Sequence, residues 1–374
     1  MTVSRRSFLR NVGMGAAVAG AVTALPLGES LLFAEPPRAT RPGGPIQLNS
    51  NENAYGAFPS VQGAMQRALE ECNRYPDDEH FVERVAALHK VKPEQVLAGC
   101  GSGEILKIAA STFTGPGKKL VQALPTFEAL GTYARSVGAE VVRVPLTANY
   151  AHDLDAMLAA CGPDTGLVYI CNPNNPTASL TPRSDLETFL KKLPAGVMVL
   201  MDEAYHHFVD SPEYASFLDR PVGSEQMLVA RTFSKVYGLA GARLGYSVAP
   251  VKVTKTMRPH RLFDSGNQMA LQGAMAALED SAAMHAAVER NARDREEFLR
   301  QARGRKITVV PSQANFLMAH TGRPAREVIA HFRQQNIAVG RPFPPMETYL
   351  RVSLGRPEEM QAFWKAWDQM PRVQ

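Results

Sequence analysis

The sequence is poor in cysteine and has no clustered metal ligands. Four cysteines occur in 374 residues, at Cys72, Cys100, Cys161 and Cys171. No two of them form a CxxC pair, and their spacing matches neither a zinc motif nor a dense disulfide framework. His206 and His207 are adjacent rather than four residues apart, and no HExxH occurs. We therefore expect no catalytic metal.

The sequence also lacks concentrated charge. Charged residues make up 21% of the chain and aromatic residues 7%, and the net charge is +5. No basic block is interleaved with aromatic residues, as is typical of nucleic-acid-binding proteins. We therefore expect no nucleic-acid partner. The hydrophobic content of 45% is sufficient for a large core, and the length suggests two domains.

A long membrane-spanning run is missing, although a weakly apolar segment lies near the N-terminus. Residues 4–10 read SRRSFLR, and a run rich in glycine and alanine extends from Val12 to about Leu27. The arginine pair before this run resembles a twin-arginine export signal, while an amphipathic tail with a chance arginine pair is the alternative. Pro26 interrupts the run, so we expect no stable membrane anchor. We predict a signal peptide at 1–34 and a periplasmic or secreted protein, with a cytoplasmic location as the alternative.

Beyond a segment rich in proline and glycine at 36–45, short apolar runs alternate with helical patterns. The runs are Val96–Ala98, Leu120–Ala123, Val141–Val144, Leu167–Cys171, Val197–Met201 and Met227–Ala230. Continuous apolar runs are typical of parallel strands covered on both faces, and their alternation with helices predicts an α/β domain. Two helical stretches near 267–302 and two strand-like segments, ANFLMAH and YLRVSL, predict a smaller α+β domain.

Glycines follow the first of these runs, and ligands in open α/β sheets bind beyond the carboxyl ends of the strands. Residues 99–110 read GCGSGEILKIAA, in which glycines lead into an amphipathic helix. The N-terminus of such a helix can hold a phosphate, although a plain turn is equally consistent with the pattern. Glu104 occupies the third glycine position of the dinucleotide fingerprint, and no GK[ST] follows. These departures argue against a nicotinamide enzyme and a P-loop.

Three further runs end in polar or aromatic residues. Phe127 closes LPTF, residues 172–178 read NPNNPTA, and Asp202 and Tyr205 belong to DEAY. An aromatic ring at a strand end can stack on a flat ligand, and a buried carboxylate needs a cationic or hydrogen-bonding partner. Each motif also has an ordinary structural interpretation, as a core aromatic, an Asn-Pro turn and a buried ion pair.

The last run leads into RTFSKVYGLAGARLGY, which places Lys235 among apolar and small residues. Burial lowers the pKa of a lysine and makes it a nucleophile. Arg243 follows eight residues later and can bind an anion. One ligand would use the lysine, the carboxylate, the aromatic ring and the anion site together. That ligand is pyridoxal phosphate, which has an aldehyde, a ring nitrogen, a flat face and a phosphate.

Taken in order, the motifs resemble those of a known family. LNSNENAYG, NRYPD, GCGSGE, LPTF, NPNNPT, DEAY, RTFSKVYGLAGARLGY and LRVSLG extend from Leu48 to Gly355. The chain resembles the fold-type I pyridoxal-phosphate-dependent aminotransferases of class I/II, and histidinol-phosphate aminotransferases in particular. This resemblance implies an α/β fold with a mostly parallel seven-stranded sheet. It also implies an N-terminal arm at 35–75, a large domain at 76–275 and a smaller α+β domain at 276–374.

The resemblance implies pyridoxal 5'-phosphate as the cofactor and gives roles to the motif residues. Lys235 would bond to the cofactor aldehyde and move the proton during transamination. Asp202 would pair with the pyridine nitrogen. The other implied contacts are Asn175 and Tyr205 at the phenolic oxygen, Phe127 on the ring, and Ser102, Gly103, Thr232, Ser234 and Arg243 at the phosphate.

The resemblance also implies partners and substrate contacts. Tyr75 would reach the phosphate bound by a neighbouring subunit, which predicts a homodimer with shared active sites. Arg351 would bind the substrate α-carboxylate in a bidentate fork. Tyr55 and Asn315 would line the substrate side. Arg341 would contact a substrate phosphate, although a solvated arginine is equally consistent with its position.

We therefore expect an enzyme that moves an amino group from an amino acid or amine to a 2-oxo acid such as 2-oxoglutarate. The donor would be histidinol phosphate-like or aromatic, and alanines at 54 and 57, where the family usually has proline, leave it open. A decarboxylase or lyase resembling threonine-phosphate decarboxylase would use the same Lys235, and it differs in whether the cofactor keeps the amino group. An exported, non-catalytic binding protein would be expected to lose Lys235 or Asp202, and both are present.

Overall fold

The computed structural model describes residues 44–221 and 224–371. The predicted signal peptide at 1–34 lies outside the described residues. The strands are β1 (Ile46–Leu48), β2 (Val96–Gly99), β3 (Lys119–Leu124), β4 (Val141–Pro145), β5 (Thr165–Cys171), β6 (Met198–Asp202), β7 (Met227–Thr232), β8 (Gly245–Val248), β9 (Phe316–His320), β10 (Ile337–Val339) and β11 (Tyr349–Ser353).

The central sheet has seven strands in the order β2-β8-β7-β6-β5-β3-β4. Strands β3 to β7 pair in parallel, and β8 runs antiparallel to both β2 and β7. The predicted mostly parallel seven-stranded sheet is confirmed. Each apolar run became a strand, but the sequence patterns did not identify β8, because its four residues, GYSV, lie inside the glycine-rich stretch after Lys235.

Helices cover both faces of this sheet. They are α1 (Pro59–Ala68), α2 (Glu79–His89), α3 (Ser102–Phe113), α4 (Ala129–Ser136), α5 (Leu154–Ala159), α6 (Arg183–Lys192), α7 (Val251–Met257), α8 (Gln268–Glu279), α9 (Ser281–Gly304), α10 (Ala325–Gln334) and α11 (Pro357–Asp368). Within the described ranges no helix is both long enough and apolar enough to cross a bilayer. Helix α6 begins at Arg183, with Pro182 as its N-cap.

The two sheet faces pack into separate apolar clusters. On β5, Val168 and Ile170 join one cluster, and Leu167 and Tyr169 join the other. Successive strand residues point to opposite faces, so a strand covered on both sides must be apolar throughout. This explains the continuous apolar runs in the sequence.

The C-terminal part of the chain builds two small sheets. Strand β11 pairs antiparallel with β9, and these two strands are the strand-like segments YLRVSL and ANFLMAH. Strand β1, from the N-terminal arm, pairs in parallel with β10 and aligns Ile46 with Ile337. The pairing brings the start of the described chain beside its C-terminal third. The division into domains at 75 and 275 stays a prediction.

Candidate active site

A cavity of about 610 Å³ lies at the carboxyl ends of β5, β6 and β7. Twelve of the residues predicted to form a site line it: Ser102, Gly103, Phe127, Asn175, Asp202, Tyr205, Thr232, Ser234, Lys235, Arg243, Arg341 and Arg351. Parallel strands end at one edge of a sheet, so the polar residues that follow them meet there. The other three predicted residues, Tyr55, Tyr75 and Asn315, lie elsewhere.

Lys235 follows β7 and extends its amine into the cavity. Its Nζ donates a hydrogen bond to the carbonyl oxygen of Asn51 at 3.1 Å. Burial, together with the nearby positive charge of Arg351, lowers the pKa of Lys235 to about 8. A larger fraction of the amine is therefore uncharged near neutral pH than in an exposed lysine, as a nucleophile or a base requires.

Asp202 ends β6 and lies on the cavity floor with 3% of its surface exposed. Its Oδ1 accepts the backbone N–H of Ala204 at 3.1 Å, and its Oδ2 accepts the hydroxyl of Tyr169 at 2.8 Å. Burial raises the pKa of this carboxyl group to about 6, while both hydrogen bonds oppose that rise. Asp202 forms no salt bridge with any described residue. A cationic ring nitrogen placed beside it would supply the missing positive charge.

One end of the cavity is built to hold an anion. Helix α3 begins at Ser102, so the free backbone N–H groups of its first turn face this end. Thr232 donates its hydroxyl to Ser234 at 2.9 Å, and the guanidinium of Arg243 lies close by. Gly101 has a φ of +74°, and a Cβ at this position would overlap that guanidinium. A larger residue here would be strained by the positive φ and would push the arginine away from the helix start.

The chemistry of these groups matches the functional groups of pyridoxal phosphate. The helix N-terminus and Arg243 suit its phosphate, Asp202 suits its ring nitrogen, and the amine of Lys235 suits its aldehyde. Phe127, 39% exposed, provides an aromatic wall. Gly101 contributes to the fit, because a residue without a side chain lets the Arg243 guanidinium approach the start of α3.

Two arginines, Arg341 and Arg351, line the substrate side of the cavity. Arg351, on β11, donates to Asn175 Oδ1 at 2.7 Å and to the carbonyl oxygen of Asn49 at 2.6 Å. Burial lowers the pKa of Arg351 to about 10, and its Nε has no hydrogen-bond partner among the described residues. Because the guanidinium is held by neutral groups, its positive charge remains available to an anion.

Arg341 lies at the mouth of the same cavity. Its Nη2 donates to Glu128 Oε2 at 2.6 Å, and both side chains are about half exposed. Its guanidinium carbon lies 4.2 Å from the ring centroid of Phe343, and that of Arg351 lies 4.7 Å from the same centroid. The phenyl ring therefore connects the buried arginine with the exposed one.

Three of the predicted site residues do not line the cavity of their own chain. Tyr55 donates its hydroxyl to Asp294 on α9 at 3.0 Å. Asn315 donates to the carbonyl oxygens of Asn51 and of residue 52, so it supports the N-terminal arm. Tyr75 is 85% exposed. The substrate and partner contacts expected of these three residues stay predictions.

Sequence reasoning missed two residues that support the site. Asn51 has a φ of +54°. Its carbonyl oxygen accepts a hydrogen bond from the Lys235 amine, and its Nδ2 donates one to the hydroxyl of Tyr205 at 3.1 Å. Tyr169 binds Asp202. Asn51 lies within the motif LNSNENAYG, but it is 184 residues from Lys235 in the sequence, so no local pattern indicates the contact. For Tyr169, the one indication in the sequence was a hydroxyl group within the otherwise apolar run Leu167–Cys171.

Comparison with known proteins adds independent findings. The family model "Aminotransferase class I and II" matches residues 44–366. The histidinol-phosphate aminotransferase of Moorella thermoacetica is 37% identical over 326 residues, covering 86% of this chain and 84% of the relative. That of Geobacillus thermodenitrificans is 36% identical over 318 residues, covering 84% and 87%. The crystal structure of the Sinorhizobium meliloti histidinol-phosphate aminotransferase in complex with pyridoxal-5'-phosphate has a TM-score of 0.81 at 26% identity, covering 86% of this chain and 89% of that one.

Proposed function

The chain belongs to the class I and II aminotransferase family, and from this premise we propose a donor, an acceptor and residue roles. It is a pyridoxal-phosphate-dependent aminotransferase. We propose that it takes the amino group from a histidinol phosphate-like or aromatic donor and passes it to a 2-oxo acid such as 2-oxoglutarate. The observation that carries this proposal is the pair of arginines on Phe343, which offers two separate sites for substrate anions.

The proposed roles follow from the geometry of the cavity. When bound, pyridoxal phosphate withdraws electrons from the substrate α-carbon. The ionised carboxylate of Asp202 would hold a proton at the pyridine nitrogen. The amine of Lys235, with its lowered pKa, would accept the proton from the substrate α-carbon. It would then return the proton to the cofactor carbon on the other side of the substrate nitrogen. Arg243 and the start of α3 would hold the phosphate.

Substrate recognition would divide between the two arginines. Arg351 would bind the α-carboxylate of the amino acid or of the 2-oxo acid. Arg341 would bind a distal phosphate or carboxylate, which must displace Glu128 from it. An aromatic donor without a distal anion would instead leave the Arg341–Glu128 pair intact.

The direct test is a half-reaction with the purified protein loaded with pyridoxal phosphate. Histidinol phosphate, an aromatic amino acid and glutamate would be supplied one at a time, and the cofactor absorbance followed. Conversion of the cofactor to its amine form by one donor, reversed by a 2-oxo acid, would support the proposal. Release of carbon dioxide or ammonia with the cofactor unchanged would favour the lyase alternative. Failure to bind cofactor would favour the non-catalytic binding protein.

We further propose that two chains associate and share their active sites. Tyr75 and Phe263 are large hydrophobic residues with 85% and 94% of their surfaces exposed, which is unusual for side chains that face water. A mixture of a Tyr75→Ala protein and a Lys235→Ala protein, refolded together, would regain activity if Tyr75 serves the partner's site. No regain of activity in verified hybrid dimers would contradict it.

Export by the twin-arginine route is the remaining proposal. It rests on the arginine pair in SRRSFLR. Replacing both arginines with lysine should leave the protein in the cytoplasm, whereas the unchanged sequence should reach the periplasm in a fractionation experiment. Equal distribution of the two forms would contradict it.

A further inference from the structure

The hydroxyl group of Tyr169 makes one contact of consequence, and that contact is with Asp202. Tyr169 lies on β5 with 0% of its surface exposed, and its ring packs in the apolar cluster between the sheet, α3 and α4. Its hydroxyl donates to Asp202 Oδ2 at 2.8 Å. A phenol this deeply buried requires a partner for its proton, and the carboxylate is the one it has.

Asp202 depends on few donors. Its Oδ1 is bound by the backbone N–H of Ala204, which no substitution of a side chain removes. No salt bridge joins Asp202 to any residue in the described ranges. Tyr169 is therefore the side chain that most directly stabilises the ionised carboxylate.

We propose that Tyr169 is a positioning residue for transamination, whose hydroxyl keeps the Asp202 carboxylate ionised and oriented toward the pyridine nitrogen of the cofactor. Strand register supports this geometry, because Cys171 of β5 aligns with Asp202 of β6, and Tyr169 lies two residues earlier on the same face. The ring therefore reaches the carboxylate from behind the cavity floor. The open side of Asp202 stays free for the cofactor.

Among the described residues, no other ionisable side chain donates a hydrogen bond to Asp202. The thiol of Cys171 donates to the carbonyl oxygen of Pro173 at 3.4 Å and has a pKa raised by burial. The positive charge of Lys235 also lowers the pKa of Asp202, but its amine donates to the carbonyl oxygen of Asn51 and not to the carboxylate. The neighbouring carboxylate of Glu203 raises the pKa of Asp202 rather than lowering it. Loss of the Tyr169 hydroxyl would thus remove the largest of the contributions that oppose burial, and the Ala204 backbone N–H and the charge of Lys235 would remain.

The test is the Tyr169→Phe variant, which removes one hydroxyl and keeps the ring. This inference rests on the proposed role of Asp202, so binding of pyridoxal phosphate by the unchanged protein is measured first. We expect the dissociation constant for pyridoxal phosphate to rise roughly tenfold or more in Y169F, because hydrogen bonds to charged groups are the strong ones. The ¹⁵N chemical shift of ring-labelled cofactor should move toward the unprotonated value. An unchanged shift together with a dissociation constant within about twofold of the original would overturn the proposal.

Two controls separate positioning from packing. Tyr133→Phe alters a tyrosine that packs against the same cluster without contacting Asp202, and it should change neither readout. In an Asp202→Asn background, adding Tyr169→Phe should have little further effect on cofactor affinity, since the two residues act through one contact. An equal loss in both backgrounds would show that Tyr169 acts only through the core. Failure of the unchanged protein to bind cofactor would instead count against the proposed function.

Discussion

Two ionisable side chains in this cavity have pKa values that differ from their ordinary values in water. Lys235 has a pKa lowered to about 8 and Asp202 has one raised to about 6, and burial is the main cause of both. The two shifts bring a base and an acid closer to neutral pH. Perturbed groups of this kind gather where chemistry occurs.

Lys235→Ala should bind pyridoxal phosphate without covalent attachment and should not turn over. The reason is that no other amine among the cavity-lining residues could take its place, since the remaining cations are arginines. Borohydride treatment followed by mass spectrometry would detect the missing covalent bond, and a coupled assay would measure activity. Lys252→Ala, on the exposed side of α7, is the matched control. An alanine variant at 235 that transaminates at the normal rate would refute the role.

Glu128→Gln should favour donors with a distal anion. The change frees Arg341 from its counter-ion, and exposed ion pairs contribute about 0.2–1 kcal/mol, which corresponds to a decrease in KM of up to roughly fivefold. Aromatic donors without a distal anion should be unaffected. Steady-state kinetics with both donor types would check this, with the exposed Glu140→Gln as control. A change of equal size for both donors would contradict it.

At the scale of elements, the N-terminal arm is bound to the C-terminal part of the chain. Strand β1 pairs with β10, and the ring of Tyr55 lies 4.4 Å from the guanidinium carbon of Arg290 on α9. The arm also supplies the Asn51 carbonyl oxygen to Lys235. One segment therefore contacts both the amine of Lys235 and helix α9.

Tyr55→Phe should lower the free energy of unfolding by about 1–3 kcal/mol, because it leaves the half-buried Asp294 carboxylate without its donor. Urea unfolding would measure the loss. Tyr214→Phe is the matched control, since the buried Tyr214 hydroxyl has no partner among the described residues and its removal should be neutral or stabilising. Equal effects of the two substitutions would show that the contact with Asp294 is not the cause.

At the scale of the whole molecule, a group of three neutral histidines, one buried and two half-buried, lies behind the active site. His89, His206 and His207 line a cavity of about 210 Å³ together with Arg231. Burial lowers the pKa of all three, to about 3 for His89 and His207, and the charge of Arg231 adds to the effect. Such groups make folding sensitive to acid, because the unfolded chain takes up protons more readily than the folded one.

Stability should therefore fall as the pH drops below the ordinary histidine pKa of 6.5. A histidine whose pKa is depressed in the folded state contributes fully above 6.5, and the contribution is lost toward the folded value near 3. Each buried histidine should cost about 1.4 kcal/mol per pH unit in that window. Urea unfolding at a series of pH values would measure the slope. His207→Gln should reduce it and the exposed His285→Gln should not, whereas a flat profile between pH values of about 7 and 5 would contradict the prediction.

The sequence by itself determined the strands of the parallel sheet and most of the residues at the site. Apolar runs such as Leu167–Cys171 depend only on neighbouring residues, since both faces of the strand must be covered. Residues placed directly after those runs, such as Asp202 and Lys235, then had to meet at one edge of the sheet. The local apolar pattern and the shared edge at which parallel strands end are enough for this much.

Only the tertiary structure decided which distant groups support the site. Asn51 meets Lys235 across 184 residues and Arg351 meets Asn175 across 176. The pairing of Tyr169 with Asp202, and the turn of Tyr55 toward Asp294, likewise left no periodic trace in the sequence. Contacts of this kind depend on strand order, loop paths and side-chain directions at once. A one-dimensional pattern records none of these, because it contains only separation along the chain and not proximity in space.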